Sequence, residues 1–321
     1  MQPPYGPPRT DGRPGFRLAL WHRAGKLAVV TSITNMRFAK GHGTGNDFVI
    51  VPDPDGRLDL SAELIAGICD RHFGLGADGV LRVVRTAAAG EDAVEEQAAE
   101  WFMDYRNADG SVAEMCGNGI RVFTRYLLDQ GLAEGEELDI ATRAGTKTVR
   151  AEPDGLFTVD MGAATVLGEG AVEMSGRRLA GLAISVGNPH LACVLDQPVA
   201  AIDLTAPRIL APTALTGGAN VEVIRVTGER ELEMRVHERG SGQTLSCGTG
   251  AVASAVAAAV AAGEWPDGRS LPWSVRVPGG RLAVTPSATA SLLTGPAVIV
   301  AAGELSASWL AGFSPVGLSA V

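Results

Sequence analysis

The sequence predicts an α/β protein built from two related halves that face each other. Each half contains a run of short strand-like segments and one helix that begins directly after a cysteine, Cys116 or Cys247. Gly-x-Gly follows each cysteine, and nine residues before each one a polar residue, Asn107 or Glu238, ends a strand candidate. Two such units in matching places indicate a duplicated α/β unit.

The elements of the first half follow one another in regular order. "DFVIV" is typical of a strand, and Ser61 caps a helix that we expect to stop at Gly74. "GVLRVV" and "AEWFMDYR" predict strands, with a solvated loop over the acidic, alanine-rich residues between Ala87 and Ala99. The Cys116 helix should end at Gly131. Three short strands are expected after it, around Leu138–Thr142, Lys147–Ala151 and Phe157–Met161.

The second half repeats this order. "LAISVG", "HLACVL", "NVEVIRV" and "ELEMRVHE" predict strands. The Cys247 helix is nearly all Ala and Val, and a helix that is apolar on every side is buried all round, so we place it inside a wrapped sheet. "WSVRVPGGRLAV" predicts a hairpin with its turn at Pro-Gly-Gly, and "AVIVAA" is the last strand candidate.

Composition excludes several classes of protein. The chain has 321 residues, of which 46% are hydrophobic and 20% charged, as in soluble globular proteins of one large or two ordinary domains. A net charge of −9 argues against nucleic acid as a partner, and no apolar run is long enough to span a membrane. Residues 1–35, rich in Pro and Gly, are expected to be a leader that is disordered or not translated, with a targeting segment as the alternative.

The four cysteines carry the functional prediction. They lie far apart without a CxxC pair, which excludes a zinc site or a disulfide scaffold, and Cys69 and Cys193 are interpreted as small buried hydrophobes. At a helix start, Cys116 and Cys247 would be favoured as thiolates beside backbone N–H groups that bind a carboxylate. A thiolate and a thiol on opposite faces of one carbon could remove and return its proton, which inverts a stereocentre. A redox pair is the alternative.

Cofactor chemistry is not indicated. Pyridoxal phosphate needs a lysine, and the chain has only Lys26, Lys40 and Lys147, so we expect no cofactor. "GHGTGND" leads into a strand and not into a helix, which argues against a dinucleotide site. The five histidines form no HxH or HExxH motif, so no metal is expected.

Five blocks in order, from Phe38 to Ala251, together resemble diaminopimelate epimerases: "FAKGHGTGNDFVIV", "RNADGSVAEMCGNGIR", "SVGNPH", "GANVEVIRV" and "HERGSGQTLSCGTGA". The resemblance implies two pseudo-symmetric domains, each a mixed, largely antiparallel sheet curled around a central helix, with the active site in the cleft between them. The domains would be 36–160 plus about 292–302, and 161–291, followed by a tail over 303–321.

The resemblance also implies an activity and its residues. Without pyridoxal phosphate, the enzyme would interconvert LL- and meso-diaminopimelate for lysine and peptidoglycan synthesis in the cytoplasm. A homodimer is the assembly that the family implies. Cys116 and Cys247 would be the acid–base pair, and His190 and Glu238 would tune the thiols. The substrate-binding set would be Asn46, Asn107, Gly117, Asn118, Asn188, Asn220, Glu238, Arg239, Gly248 and Thr249.

Two departures and two alternatives remain open. Many family members have a glutamine where this chain has Gly79, so one side-chain contact is missing or comes from water or backbone, and the leader lies outside the family pattern. Proline and hydroxyproline racemases resemble the chain around Cys247 but typically carry His at the position of Asn118. A non-catalytic thiol switch or ligand-binding protein on the same scaffold would not need two thiols.

Overall fold

The computed structural model describes residues 35–313, apart from 175, 212–214, 216 and 267–270. The predicted leader as far as residue 34, and residues 314–321 of the predicted tail, lie outside the described residues.

The described part of the molecule consists of two sets of strands, and each set contains one long helix. The strands of the first set are β1 (Met36–Gly43), β2 (Asn46–Pro52), β3 (Gly79–Arg85), β4 (Trp101–Asn107), β5 (Glu137–Ala141), β6 (Lys147–Ala151) and β7 (Phe157–Asp160). Its helices are α1 (Ala62–Cys69), α2 (Asp92–Glu95) and α3 (Gly117–Asp129).

The second set follows along the chain. Its strands are β8 (Thr165–Met174), β9 (Arg177–Ser185), β10 (Pro189–Val194), β11 (Arg208–Ala211), β12 (Asn220–Gly228), β13 (Glu231–Glu238), β14 (Gly242–Thr244), β15 (Trp273–Val277), β16 (Gly280–Thr285) and β17 (Leu292–Gly295). Its long helix is α4 (Gly248–Ala261). After these come strand β18 (Val298–Leu305), which belongs to the first set by its pairing, and the single-turn helix α5 (Ala307–Leu310).

The two sets pair their strands in the same way. In the first, the order is β18-β1-β2-β3-β4-β5-β6-β7; in the second, it is β8-β9-β10-β12-β13-β15-β16-β17. The parallel pairs fall at matching places, β2–β3 with β4–β5 and β10–β12 with β13–β15, while the other pairs in both orders are antiparallel. The predicted mixed, largely antiparallel α/β fold is confirmed.

Two features join the sets. Strands β7 and β17 pair antiparallel, from Leu292 opposite Asp160 to Gly295 opposite Phe157. Strand β18 then crosses back and pairs with β1, with Met36 opposite Leu305. In the first set β18 therefore occupies the place that β8 has in the second. The predicted division into two domains stays a prediction.

The long helices lie at the centre of the sheets. Ten residues of α3 and eleven of α4 are buried, so each helix is enclosed on nearly every side, as the apolar sequence of α4 predicts. Helix α3 is more buried than its sequence indicates, because Arg121 has no exposed surface. Alanine side chains along α4 let the surrounding strands approach its backbone closely.

Two elements differ from the expectation. Helix α1 ends at Cys69 rather than at Gly74, because the Asp70 carboxylate accepts hydrogen bonds from the backbone N–H groups of His72 and Phe73 at 2.7 Å each and closes a turn. The acidic segment expected to be a solvated loop contains α2, whose Val94 is buried in a small apolar cluster with Val84 and Phe102.

Candidate active site

Cys116 caps helix α3 with its side chain. Its backbone is extended, with φ −140° and ψ 119°, and its Sγ accepts the N–H of Gly119 at 3.3 Å. Cys116 thus takes the position in which Ser or Asp usually satisfies an unpaired N–H of the first helical turn. The thiol is held at the positive end of the helix.

Cys247 caps helix α4 in the same way. Its backbone has φ −127° and ψ 121°, and its Sγ accepts the N–H of Gly250 at 3.4 Å. The hydroxyl of Thr249 lies 3.5 Å from the same sulfur. The two halves therefore present a cysteine in one conformation at the start of one central helix each.

The two helix starts are in direct contact. A Cβ built on Gly248 would lie 3.3 Å from Cα of Gly117, and the Leu293 side chain would lie 3.1 Å from it. A Cβ on Gly117 would also lie 3.2 Å from Leu293. A side chain on either glycine would crowd this approach, which brings two sets of unpaired backbone N–H groups together.

A hydrogen-bonded bridge joins the first half to the residue before Cys247. The Asn118 amide nitrogen donates to Asn46 Oδ1 at 3.2 Å and to the backbone carbonyl of Ser246 at 3.1 Å. The hydroxyl of Thr44, in the turn between β1 and β2, donates to Ser246 Oγ at 2.7 Å. Cys116 Sγ lies 3.7 Å from Asn46 Oδ1. Asn46, Asn118 and Cys116 are therefore brought together as the sequence predicts.

A second chain of polar contacts ends at the sulfur of Cys247. Glu222 Oε1 lies 2.7 Å from His190 Nδ1, and His190 Nε2 lies 2.9 Å from Asn188 Oδ1. The Asn188 amide nitrogen then donates to Thr249 Oγ1 at 3.3 Å, next to Cys247. This chain includes the predicted site residues His190, Asn188 and Thr249, together with Glu222, which the sequence did not single out.

Burial outweighs the helix starts in setting the acidity of both thiols. It raises the pKa of Cys116 to about 11, although the Gly119 N–H acts in the opposite direction. It raises the pKa of Cys247 well above its ordinary range, with the charges of Glu238 and Glu222 adding to the effect. Both thiols are therefore weaker acids than their positions at helix starts alone would make them.

Glu238 lies beside Cys247. Its carboxylate accepts hydrogen bonds from the Thr244 hydroxyl and from the Cys247 thiol. Burial raises the pKa of Glu238, and these two hydrogen bonds act against the increase. The proton of Cys247 therefore has a carboxylate acceptor, and the charge of Glu238 also raises the pKa of Cys116.

The remaining predicted residues lie in turns at the ends of strands. The Asn220 Oδ1 accepts the backbone N–H of Arg239 at 2.9 Å, and the Arg239 guanidinium donates to the carbonyls of Gly217 and Gly218 at 3.3 and 3.4 Å. Asn107 closes its own turn, with its amide nitrogen 3.0 Å from Ser111 Oγ. The structure thus joins Asn220 to Arg239, while Asn107 has the turn role that "NADG" also predicts.

Known proteins resemble this chain over most of its length. The sequence model of a family described as "Diaminopimelate epimerase" matches residues 38–167 and 182–300. A diaminopimelate epimerase of Thermobifida fusca is 56% identical over 86% of this chain and 100% of its own length. The enzyme of that name from Streptomyces coelicolor is 50% identical over 87% of this chain and 98% of its own.

The chain belongs to the diaminopimelate epimerase family. Solved structures of other proteins share its fold. A proline racemase from Agrobacterium radiobacter, described as probable, has a TM-score of 0.62 at 15% identity and covers 88% of this chain and 95% of its own. A hydroxyproline epimerase from Agrobacterium vitis has a TM-score of 0.61 at 16% identity and covers 84% of this chain and 92% of its own. At these identities the likeness shows the fold alone.

Gly79, the first residue of β3, has no room for a side chain. A Cβ at this position would lie 2.5 Å from the backbone oxygen of Arg106 and 2.8 Å from Cε2 of Tyr105. Gly79 begins β3 opposite Asn107, the last residue of β4, so these neighbours are fixed by the sheet. A glutamine here would require β4 to move.

The two halves of this diaminopimelate epimerase family member carry different side chains near their cysteines. Phe48 pairs with the first residue of β3, and His190 pairs with the first residue of β12, so these two occupy equivalent positions. Leu81 and Glu222, the third residues of those strands, are equivalent as well. The apolar Phe48–Leu81 pair of the first half is thus replaced by the buried His190–Glu222 pair in the second.

The described residues contain no cluster of three or more His, Cys, Asp or Glu side chains that could hold a metal ion. None of the helices in the described part of the chain has the length and apolar character needed to cross a membrane.

Proposed function

We propose that this chain interconverts LL-2,6-diaminopimelate and meso-diaminopimelate by a two-base thiol mechanism that needs no pyridoxal phosphate. The observation that supports this most strongly is the contact between two helix starts, each capped by a cysteine sulfur, at Gly117 and Gly248. Related enzymes that carry the name diaminopimelate epimerase match nearly the whole described chain.

The two helix starts would bind the carboxylate of the substrate. Backbone N–H groups of the first turns, at Gly117, Asn118, Gly248 and Thr249, would hold the carboxylate next to the reacting carbon. One cysteine, as thiolate, would take the α-proton, while the other, as thiol, would deliver a proton to the opposite face. Negative charge that develops on the carboxylate would be stabilised by both helix starts.

The polar residues around the thiols would bind the two amino-acid ends of the substrate. Asn46 and Asn188 lie beside Cys116 and Thr249, respectively, which supports contacts near the reacting centre. Asn220 and Arg239, joined to each other, and Asn107 would hold the distal end, where a carboxylate and an ammonium must both be recognised. His190 and Glu238 would tune the thiols.

The proposal is tested by incubating the reduced protein with LL-diaminopimelate in deuterium oxide without pyridoxal phosphate. Deuterium should enter at the α-carbon, and meso-diaminopimelate should form. Cys116→Ala and Cys247→Ala should each abolish turnover with the fold retained, whereas Cys69→Ala, at a buried position outside the site, should not. Racemisation of proline instead would favour the proline racemase reaction, and no exchange on either substrate would refute the thiol-pair mechanism.

We also propose the organisation that the family implies. Residues 36–160 with about 292–302, and residues 161–291, would act as two domains around one cleft, in a cytoplasmic enzyme that supplies lysine and peptidoglycan synthesis. Assembly as a homodimer is checked by the mass of the protein in sedimentation equilibrium. A scattering profile that does not change when substrate binds would contradict closure of the cleft.

A further inference from the structure

The side chain of Arg121 lies fully buried behind Cys116 without an anionic partner among the described residues. It is 0% exposed, and its guanidinium donates to the carbonyl of Gly117 at 3.0 Å, to Asn118 Oδ1 at 3.0 Å and to the carbonyl of Pro296 at 3.4 Å. All three acceptors are neutral. No anion among the residues that the structure describes therefore offsets the positive charge of this guanidinium.

Such a charge is costly unless an anion comes near it. Burial lowers the pKa of Arg121 to about 10, which still leaves the group charged at neutral pH, and the thiol of Cys116 is the titratable group that acts on it. The first turn of α3 separates the two, since Arg121 holds the carbonyl of Gly117, the residue next to Cys116. A thiolate at Cys116 is thus an anion that this arginine can stabilise across the first turn of α3.

Two glycines on other segments leave room for the guanidinium of Arg121. A Cβ on Gly43 would lie 3.1 Å from Arg121 Nη2, and one on Gly295 would lie 3.3 Å from Arg121 Cζ. By holding Asn118 Oδ1, the arginine also fixes the amide so that its nitrogen points to Asn46 and Ser246. The side chain thus has one position only.

The second half places charge of the opposite sign behind its cysteine. Val252 stands five residues after Cys247, as Arg121 stands five after Cys116. Near Cys247 lie the carboxylates of Glu222 and Glu238, and both raise the pKa of its thiol. Although the two cysteines have the same backbone conformation and the same N–H donor, a cation lies behind one and carboxylates lie beside the other.

The charged and titratable groups that interact with Cys116 come from three elements. They are Arg121 on α3, Glu238 on β13 and Tyr105 on β4. The Asn46 carbonyl and the charge of Glu238 disfavour a thiolate at Cys116, while the Gly119 N–H and Arg121 favour it. Arg121 is the only cation in this set.

We propose that Arg121, through its buried guanidinium, is a positioning residue that makes Cys116 the first of the two thiols to lose its proton. Cys247 then starts as the thiol, with its proton facing Glu238. This inference rests on the proposed function for its meaning in catalysis, since it makes Cys116 the base that meets the first substrate molecule. Its test uses thiol alkylation and does not depend on diaminopimelate turnover.

The first experiment measures alkylation at Cys116 in the Cys247→Ser protein, located by peptide mass spectrometry. Iodoacetate, an anion, and iodoacetamide, which is neutral, are compared across pH. Arg121→Met should raise the apparent pKa of Cys116 by about one unit, which leaves about tenfold less thiolate at any pH well below that pKa. The same substitution should lower the ratio of the iodoacetate rate to the iodoacetamide rate several-fold. Arg121→Lys should restore most of both. A structural defect alone would slow the two reagents equally.

Arg235→Met is the matched control. The Arg235 guanidinium also donates to two backbone carbonyls, those of Val199 and Ile202, at 2.8 and 2.7 Å, but it lies outside the site. This variant should leave the apparent pKa and the rate ratio of Cys116 unchanged. Equal losses in Arg121→Met and Arg121→Lys, or no change in either, would overturn the proposal.

A second experiment leaves Arg121 in place and so does not depend on the folding of its variants. Cys116 in the Cys247→Ser protein is compared with Cys247 in the Cys116→Ser protein. Cys116 should have the lower apparent pKa and the higher iodoacetate-to-iodoacetamide ratio. The reverse order, or equal values for the two thiols, would overturn the proposal even if the protein epimerises diaminopimelate.

Discussion

The buried His190–Glu222 pair provides a quantitative test of the equivalence between the halves. Both side chains are 0% exposed and 2.7 Å apart, and Glu222 Oε2 has no hydrogen-bond partner among the described residues. Glu222→Leu removes the carboxylate and leaves His190 Nδ1 buried without its partner. Breaking a buried pair from one side costs about 3–5 kcal/mol, so we expect a loss of that size in the free energy of unfolding.

Changing both residues should recover most of that loss. His190→Phe with Glu222→Leu recreates the pair that the first half has at Phe48 and Leu81, and replacing a buried pair by apolar residues of similar size is often nearly neutral. The double variant should therefore lie within about 2 kcal/mol of the wild type, a coupling of several kcal/mol between the two sites. Epimerase activity should still be lost, because Asn188 no longer has the His190 N–H beside it.

Urea unfolding followed by tryptophan fluorescence measures the four proteins of this cycle, with the slope of each transition compared to ensure a common mechanism. The matched single change His190→Phe completes the cycle. If the double variant loses as much stability as the two single variants added together, the two positions are not equivalent to Phe48 and Leu81 in packing. If it keeps full activity, the polar chain to Thr249 has no part in catalysis.

Three other predictions concern charge and close packing. Burial raises the pKa of Asp47, but hydrogen bonds from two cations outweigh burial and lower the pKa from 3.8 to about 2. Asp47→Asn should therefore lower the free energy of unfolding by about 1–2 kcal/mol at neutral pH and by nothing near pH 2. An equal loss of stability at both pH values would contradict this. Burial raises the pKa of Glu238 above 4.5, so its ionised form lowers the stability of the protein as pH rises. The Glu238→Gln variant should therefore be at least as stable as the wild type at pH 7, with no gain below about pH 4.5. In this variant Cys247 should be alkylated at lower pH, and an unchanged alkylation profile would count against the charge effect. A Cβ on Gly279 would lie 1.6 Å from the backbone oxygen of Thr44, so Gly279→Ala should lower stability by about 3 kcal/mol, and a melting temperature within about 2 °C of the wild type would refute this contact.

Much of the fold could be predicted because its signals are local. Strands such as β12 and β13, the hairpin of β15 and β16, and the enclosed helix α4 each follow from apolar patterns and turn residues within one short segment. The repeated Cys-Gly-x-Gly indicated two equivalent halves. Strands β1, β8, β11, β14 and β17 were not predicted, since three or four residues, or a strand that contains glycines, carry too little pattern.

The site residues that sequence reasoning missed depend on distant segments. Arg121 looks like a solvated residue in "GIRVFTRY", but Gly43 and the segment at Gly295 and Pro296 enclose it. Glu222 occupies a position where strand alternation would allow an exposed side chain, and only the neighbouring β10 and helix α4 bury it. Ser246 carried no signal apart from its place before Cys247. Such burial requires knowledge of which strands become neighbours.

The crossing of β18 to the edge of β1 has a consequence for biosynthesis. The first half receives its closing strand from Val298–Leu305, more than two hundred residues after Met36, so a ribosome must make almost the whole chain before that sheet is complete. Until then β1 has an unpaired edge, the kind of surface on which partly made chains aggregate. A nascent chain stopped before β18 therefore contains both cysteines yet lacks a finished sheet around the first of them, and early termination yields an aggregation-prone fragment rather than a smaller working enzyme.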